Sequence, residues 1–162
     1  EEYGNFIFKW EWKMENKGGN SGVKYFVQEG MADNEKYGYG LEYQILDDAN
    51  HPWMKQGKMK PGGYYTTGAL YNIYKTSGKK LKPLGSYNTS KIVVKGNHVE
   101  HWLNGLKVLE YDRSSKDFEN KVDQSKFKEI KNFGQYEKGH ILLQDHGSQV
   151  SFKNIKIKTI EQ

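Results

Sequence analysis

Apolar and polar residues alternate along much of this chain with a period of two, the pattern of half-buried β-strands. Over Asn5–Lys13, Phe6, Phe8, Trp10 and Trp12 fall on one face and Ile7, Lys9, Glu11 and Lys13 on the other. Val23–Val27 groups Val23, Tyr25 and Val27, while Leu41–Leu46 sets Leu41, Tyr43 and Ile45 against Glu42, Gln44 and Leu46. Further strands are predicted at Ala69–Tyr74, Lys91–Lys95, His98–Leu103, Leu106–Tyr111, Ile141–Gln144 and Val150–Lys158. Gly96-Asn97 and Asn104-Gly105 mark turns, and the second is the strongest hairpin signal present. Helical spacing is confined to Asp123–Asn132, where Phe127 and Ile130 stand three apart behind a capping candidate at Ser125; this predicts one short helix near 123–132.

Short strands joined by turns, with no internal repeat and no linker, predict an all-β fold: a two-sheet antiparallel jelly-roll sandwich occupying 1–162 as a single domain. The 18 Gly, 3 Pro, 12 Tyr and 4 Trp among 162 residues agree with strands and glycine turns. With 0 Cys, a disulfide framework, a thiolate zinc site and a cysteine nucleophile are excluded. Lys+Arg of 25 against Asp+Glu of 20 gives +5, too mild for a nucleic-acid partner. No apolar run approaches the length of a transmembrane segment. Two connections are long, Asp47–Thr67 with His51, Pro52 and Trp53, and the charged Asp112–Gly139. Connections of that length in a compact domain are usually functional or disordered.

The chemical signal lies in polar side chains on strand faces. Glu42 and Gln44 share one face, Gln144 and His146 another, and Glu100, Trp102 and Asn104 a third, opposite Val99, His101 and Leu103. Amides, carboxylates and indoles on a curved sheet suit a sugar, since rings stack on its C–H faces while polar atoms read its hydroxyls. Gln144-Asp145-His146 ahead of Gly147, directly after an apolar strand, is hard to explain by packing. His101, on the apolar side of its strand, reads first as a satisfied core histidine. Ordinary glycoside hydrolysis needs two carboxylates about 5–10 Å apart. Jelly-roll glucanases of the laminarinase type set theirs on one strand as Glu-x-Asp-x-Glu, whereas this chain has Glu42-Tyr43-Gln44-Ile45-Leu46. That argues against their mechanism.

Asn20-Ser21-Gly22-Val23, Gly40-Leu41-Glu42-Tyr43-Gln44-Ile45-Leu46-Asp47, Gly68-Ala69-Leu70-Tyr71, His101-Trp102-Leu103-Asn104-Gly105 and Gly139-His140-Ile141-Leu142-Leu143-Gln144-Asp145-His146-Gly147 occur in that order, followed by Phe152-Lys153-Asn154-Ile155. Together they resemble the 3-keto-disaccharide hydrolase family, abundant in Bacteroidetes. The resemblance spans nearly the whole chain and implies a concanavalin-like jelly roll in a secreted or periplasmic protein. Family members usually begin with a secretion signal and a further stretch containing Gly-Trp. Neither is present here, so a processed or trimmed form is expected.

The resemblance implies cleavage of glycosides already oxidised to a ketone at C3. Such a ketone acidifies the C2 proton, so that a base removes it, the C1 substituent leaves by elimination, and water adds back. The expected roles are His146 as general acid/base, Glu42 as partner base or metal ligand, and Asp145 as a lesser catalytic candidate that needs a bend in its strand. Gln44, Gln144, Asn104, Asn20 and His101 are the expected hydroxyl readers, with Trp53 and Trp102 stacking on the ring. One divalent metal ion, on Glu42 and His146, is the expected cofactor. The alternative is a non-catalytic lectin-like carbohydrate-binding module, which would need the amides and aromatics but not His146 beside Glu42. A third reading, a partner-binding domain using the basic loop Lys55–Lys60, has only a modest charge behind it.

Overall fold

The computed structural model describes residues 1–30 and 38–161. Eight strands and two short helices follow in the order β1 (Phe6–Met14), β2 (Asn20–Val27), β3 (Leu41–Leu46), α1 (Pro52–Lys55), β4 (Asn88–Lys95), β5 (His98–Leu103), β6 (Leu106–Asp112), α2 (Lys116–Asp123), β7 (His140–Gln144) and β8 (Val150–Thr159). They form two antiparallel sheets, a five-stranded one in the order β6-β5-β4-β1-β8 and a three-stranded one in the order β3-β2-β7. The result is an open two-sheet sandwich of jelly-roll type.

The alternating aromatics of β1 make the core. Phe6, Phe8, Trp10, Trp12 and Met14 are all buried and face Val23, Tyr25, Leu41, Tyr43 and Ile45 of the smaller sheet. Trp10 meets Tyr43 edge to face, with ring centroids 5.1 Å apart. The polar tips are satisfied within the core: Trp12 Nε1 donates to Ser90 Oγ (2.9 Å), and that hydroxyl also bonds the Tyr43 hydroxyl (2.9 Å). Bonded Trp12 and Tyr43 tips fix one arrangement of the two sheets rather than merely filling space, while the buried Trp10 Nε1 has no partner among the described residues.

Strands β2 and β3 of the smaller sheet are buried on both faces, whereas β7 is only partly covered. Every residue of β3 is buried, including Glu42 and Gln44, as is all of β2 after Asn20. The inner face packs on the large sheet, and segments of the two long connections cover the outer one. The first connection adds to the edge of β3, with Gly68 N donating to Gln44 O (2.9 Å) and Tyr71 N to Glu42 O (3.0 Å).

Two local expectations are corrected. Ala69–Tyr74 is not a strand: it is a turn joined to β3 by one isolated bridge, Leu70 to Tyr43, and closed on itself by another, Leu70 to Tyr74, with Leu70 and Ile73 both buried and Asn72 at φ 62°. A spacing of three between its apolar residues fits a turn better than a pleat. The helix expected near 123–132 is displaced: α2 ends at Asp123, where that helix was to begin, and 124–132 are turns and bends. Ser115 caps α2, its Oγ accepting from Phe118 N (3.1 Å), and two acids occupy the first turn. Ser125 makes a tighter loop instead, accepting from Phe127 N (3.0 Å), and Phe127 stacks on Phe133 with centroids 4.2 Å apart.

Candidate functional site

Register determines which polar residues of the small sheet meet. Gly22 of β2 lies between Gln44 of β3 and Gln144 of β7, and Lys24 is opposite Glu42. Tyr43 and Ile45 point into the core, so Glu42 and Gln44 face the covering segments. Gly22 leaves the gap they need: a Cβ there would stand 2.9 Å from Glu42 Oε1 and 3.1 Å from Gln144 Oε1. The carboxylate and the amide therefore both lean over the glycine, on the floor of the site.

Above this floor is a cavity of about 270 Å³ lined by Asn20, Gln44, Trp53, Tyr65, Tyr71 and His146, together with His51 and the apolar Leu46, Pro52 and Met59. Trp53 comes from α1, whose N-cap His51 accepts from Trp53 N through Nδ1 (3.3 Å). Trp53, Tyr65 and Tyr71 form a wall of edge-to-face rings with centroid spacings of 6.1 and 5.5 Å. Trp53 is 45% exposed, unusual for an indole outside a binding surface. His146 lies in the loop after β7. Asp145 Oδ1 accepts from Gly147 N (2.8 Å), and Gly147 adopts φ 74°; the chain turns there and His146 reaches the cavity wall.

The electrostatics follow from this burial. Desolvation raises the Glu42 carboxyl above the ordinary carboxylate range, against the pull of the Lys24 and Lys126 ammonium groups. Burial likewise lowers both of those amines. The Tyr71 hydroxyl is raised by burial and then by the charge of Glu42. His51 is lowered by burial, with Asp48 and Asp47 opposing and His146 adding to the shift. Two buried acceptors, Gln144 Oε1 and Asn20 Oδ1, have no hydrogen-bond partner among the described residues. Buried polar atoms are rarely left so, and hydroxyl donors of a ligand would satisfy them.

Gln44, Asn20, His146 and Trp53 thus line one cavity, Glu42 and Gln144 meet around Gly22 on the adjoining strands without lining it, and four other expected residues stand elsewhere. Asp145 is exposed and occupied in its own turn. Trp102 lies on the outer face of the five-stranded sheet, its Nε1 donating to Glu100 (2.7 Å) and its ring covered by the Lys91 amine at 3.9 Å. Asn104 holds the β5–β6 hairpin, accepting from Thr89 N (2.9 Å) and donating to Lys80 O (2.9 Å). His101 is fully buried between the Tyr25 hydroxyl and Gly68 O, 2.8 Å from each. Lys24, Lys126, Tyr65, Tyr71 and His51 join the site without having been singled out for it. A rule placing Lys24 directly across from Glu42 would have found one of them.

A roomier cleft of about 350 Å³ lies between Asp47–Asn50 and Leu81–Ser86. Its carboxylates are already engaged: Asp47 accepts from Gly18 N and Asn50 Nδ2, and Asp48 from Lys79 Nζ and Thr67 N. The chemistry therefore belongs to the smaller cavity.

To a divalent cation the cavity offers the imidazoles of His51 and His146 and the amide oxygens of Asn20 and Gln44, with no carboxylate in its lining among the described residues; Glu42 lies next to it, over Gly22. Two ammonium groups already act on the Glu42 charge. The one cluster of three His, Asp or Glu ligands among the described residues is His98, Glu100 and Glu110 on the other sheet, where Lys107 Nζ bonds both acids at 3.3 and 2.6 Å.

Residues 1–158 match the profile of the 3-keto-alpha-glucoside-1,2-lyase-like domain. The chain belongs to this family. A curated relative, the 3-keto-disaccharide hydrolase of Bacteroides thetaiotaomicron, is 34% identical over 99% of this chain, which spans 60% of that protein's length. A crystal structure from Parabacteroides distasonis, provisionally assigned as a glycosyl hydrolase, superposes with a TM-score of 0.88 at 38% identity, covering 99% of this chain and 74% of the other. The carbohydrate-binding module CBM66 of Bacillus subtilis has a TM-score of 0.56 at 11% identity over 98% of this chain and 78% of its own, a likeness of fold. Among the described residues no helix is long and apolar enough to cross a membrane.

Proposed function

We propose that the protein is a glycoside-cleaving enzyme that acts on sugars bearing a ketone at C3, by removal of the C2 proton and elimination of the C1 substituent. The observation behind this reading is the composition of the cavity and its surroundings: two imidazoles, amides and an aromatic wall line it, and a single buried carboxylate, Glu42, lies beside Gln44 over Gly22. Two carboxylates facing each other, as glycoside hydrolysis through an oxocarbenium ion needs, are not found there among the described residues. Family membership, and relatives named for hydrolysis of 3-keto-disaccharides and of glycosides, support the same reading.

In this reading Trp53 and Tyr65 hold the sugar ring, and Gln144, Asn20 and Gln44 bond its hydroxyls. Glu42 takes the proton from C2. A carboxylate raised by burial is the stronger base, and it is held over Gly22 where it loses little freedom on binding. The electron pair from the C2–H bond delocalises onto the C3 oxygen as an enolate. Collapse of the enolate restores the ketone, forms the C1=C2 bond and expels the C1 oxygen, which takes a proton from His146. Water then adds at C1 as a proton returns to C2, so the net reaction is hydrolysis.

The experiment is turnover of a chromogenic 3-keto-glucoside and of its unoxidised parent by the wild type, Glu42→Gln and His146→Ala. The reading expects cleavage of the keto compound alone, with a large loss in both variants. Binding of glucosides with no cleavage of either compound would instead make this a binding module.

A further inference from the structure

The face of the five-stranded sheet turned away from the core carries a one-sided charge, and strand register is the cause. Lys156 of β8 is opposite Lys9 of β1, Lys9 is opposite Lys91 of β4, and Lys91 is opposite Trp102 of β5, which pairs in turn with Lys107 of β6. Three lysines therefore stand side by side on neighbouring strands, and an indole and a fourth lysine extend the row. Lys95 and Lys158 belong to the same face. The ion pairs there are made by other residues: Lys153 with Glu11 (3.7 Å), Lys13 with Glu15 (2.9 Å), and Lys107 with Glu100 and Glu110 (3.3 and 2.6 Å). Lys9, Lys91, Lys95, Lys156 and Lys158 have no ion pair among the described residues. The Lys91 amine rests 3.9 Å from the centre of the Trp102 ring, and that ring is fixed by its bond to Glu100 (2.7 Å).

Like charges directly opposite one another destabilise a sheet, so the fold gains nothing from Lys156, Lys9 and Lys91 in register. An anion laid across the strands does gain from it. We propose that this face docks an acidic polysaccharide, a chain with a carboxylate on each sugar, lying across β8, β1 and β4. Neighbouring strands are about 4.8 Å apart, close to the advance per unit of an extended pyranose chain, so successive carboxylates meet Lys156, Lys9 and Lys91 in turn. The next sugar reaches Trp102, whose ring is already held in place. Lysine ammoniums are mobile point charges that follow carboxylates set at varied angles, whereas phosphate and nucleic-acid recognition favours the arginine fork. The one arginine of the chain, Arg113, is buried on the backbone carbonyls of Gly134, Tyr136 and Gly96. Ile7 and Val93, which flank the row, are half-buried and offer a lipid surface little to insert. The face lies on the other sheet from the cavity, so a docked chain leaves the cavity open, and the inference does not depend on the function proposed above.

The test is titration calorimetry of the full chain with polygalacturonate, with dextran as the neutral counterpart and with vesicles of phosphatidylserine and phosphatidylcholine. Wild type is compared with the triple variant Lys9→Gln/Lys91→Gln/Lys156→Gln. A second triple variant, Lys55→Gln/Lys58→Gln/Lys60→Gln, removes the same charge from an exposed loop. Wild type should bind polygalacturonate and not dextran, with affinity falling about tenfold or more as salt rises from about 0.05 to 0.2 M. The sheet variant should lose about tenfold or more in affinity, with a thermal midpoint at or above the wild type because repulsion along the row is relieved. The loop variant should keep most of its affinity. No binding of polygalacturonate by the wild type would overturn the inference. An equal loss in the two triple variants would overturn it as well, since net charge alone would then be responsible. Tighter binding to the vesicles than to polygalacturonate would make the face a membrane-binding surface instead.

Discussion

Glu42 and Gln144, from strands on opposite sides of β2, bring their Oε1 atoms over the same glycine, 2.9 and 3.1 Å from where a Cβ would stand. Gly22 does not have a left-handed backbone, so its lack of a side chain matters for space and not for conformation. Gly22→Ala should therefore keep the fold and displace the base. The expected result is a fall in kcat of about 10²-fold or more, the range for misplacing a reacting group by an ångström, with a thermal midpoint close to the wild type. An unchanged kcat would mean that Glu42 is not the base.

Glu42→Gln removes the buried carboxylate beside the cavity, and the expected loss is about 10²- to 10⁴-fold in kcat. Its pH behaviour is more diagnostic. Burial raises the Glu42 carboxyl, and a base must be ionised to act. Wild-type kcat/KM should thus fall as pH drops, with a midpoint above the ordinary carboxylate range. That acid limb should vanish in the residual activity of Glu42→Gln.

Much of this arrangement was legible in the chain. Alternation placed all of β1, β3 and β5, because each has one face in a dry core and a side-chain period of two. Pairing Glu42 with Gln44 followed from the same rule. The neighbour between them was not legible, since strand order in the small sheet is set by contacts between Gly22 and residues 44 and 144, far apart in sequence. Trp102 and Asn104 share a strand face with the right chemistry, yet that face belongs to the other sheet. The Asp145 turn also reversed an expectation. Periodicity carried past Gln144 would put His146 on the Gln144 face of a strand, but β7 ends there and the turn aims the imidazole instead. Lys126 and Tyr71 lay in segments without periodicity, where only tertiary packing decides position.

Trp53→Ala tests the aromatic wall. The indole is half exposed, its neighbours His51 and Tyr65 touch it edge-on, and no core contact depends on it. KM for the keto-glucoside should rise by about 5- to 10-fold, equivalent to a ring contact of roughly 1–1.4 kcal/mol, with kcat nearly unchanged. A kcat effect as large as that of Glu42→Gln would move Trp53 from binding into the chemistry.

His101 is a determinant of acid stability instead of a site residue. Burial lowers its pKa from 6.5 to about 4, partly opposed by its hydrogen bond to Gly68 O. The unfolded chain then binds a proton that the folded protein refuses between those two values. Stability is therefore complete above pH 6.5 and is lost as pH falls toward 4, by an amount of order 3 kcal/mol from this residue. Urea unfolding at intervals from pH 7.5 to pH 4 should show that slope. His101→Gln should be less stable at neutral pH but flatter across the interval; an equally steep slope would assign the acid sensitivity to other groups.

The account depends most on the fate of one hydrogen. Cleavage of a 3-keto-glucoside carried out in D₂O, with the released sugar read by NMR at the earliest time points, reports directly on C2. Elimination followed by hydration predicts deuterium at C2 in the first product formed, at a rate tied to cleavage and abolished with it in Glu42→Gln. Retention of the original C2 hydrogen through cleavage would contradict proton abstraction by Glu42 and point to direct displacement at C1.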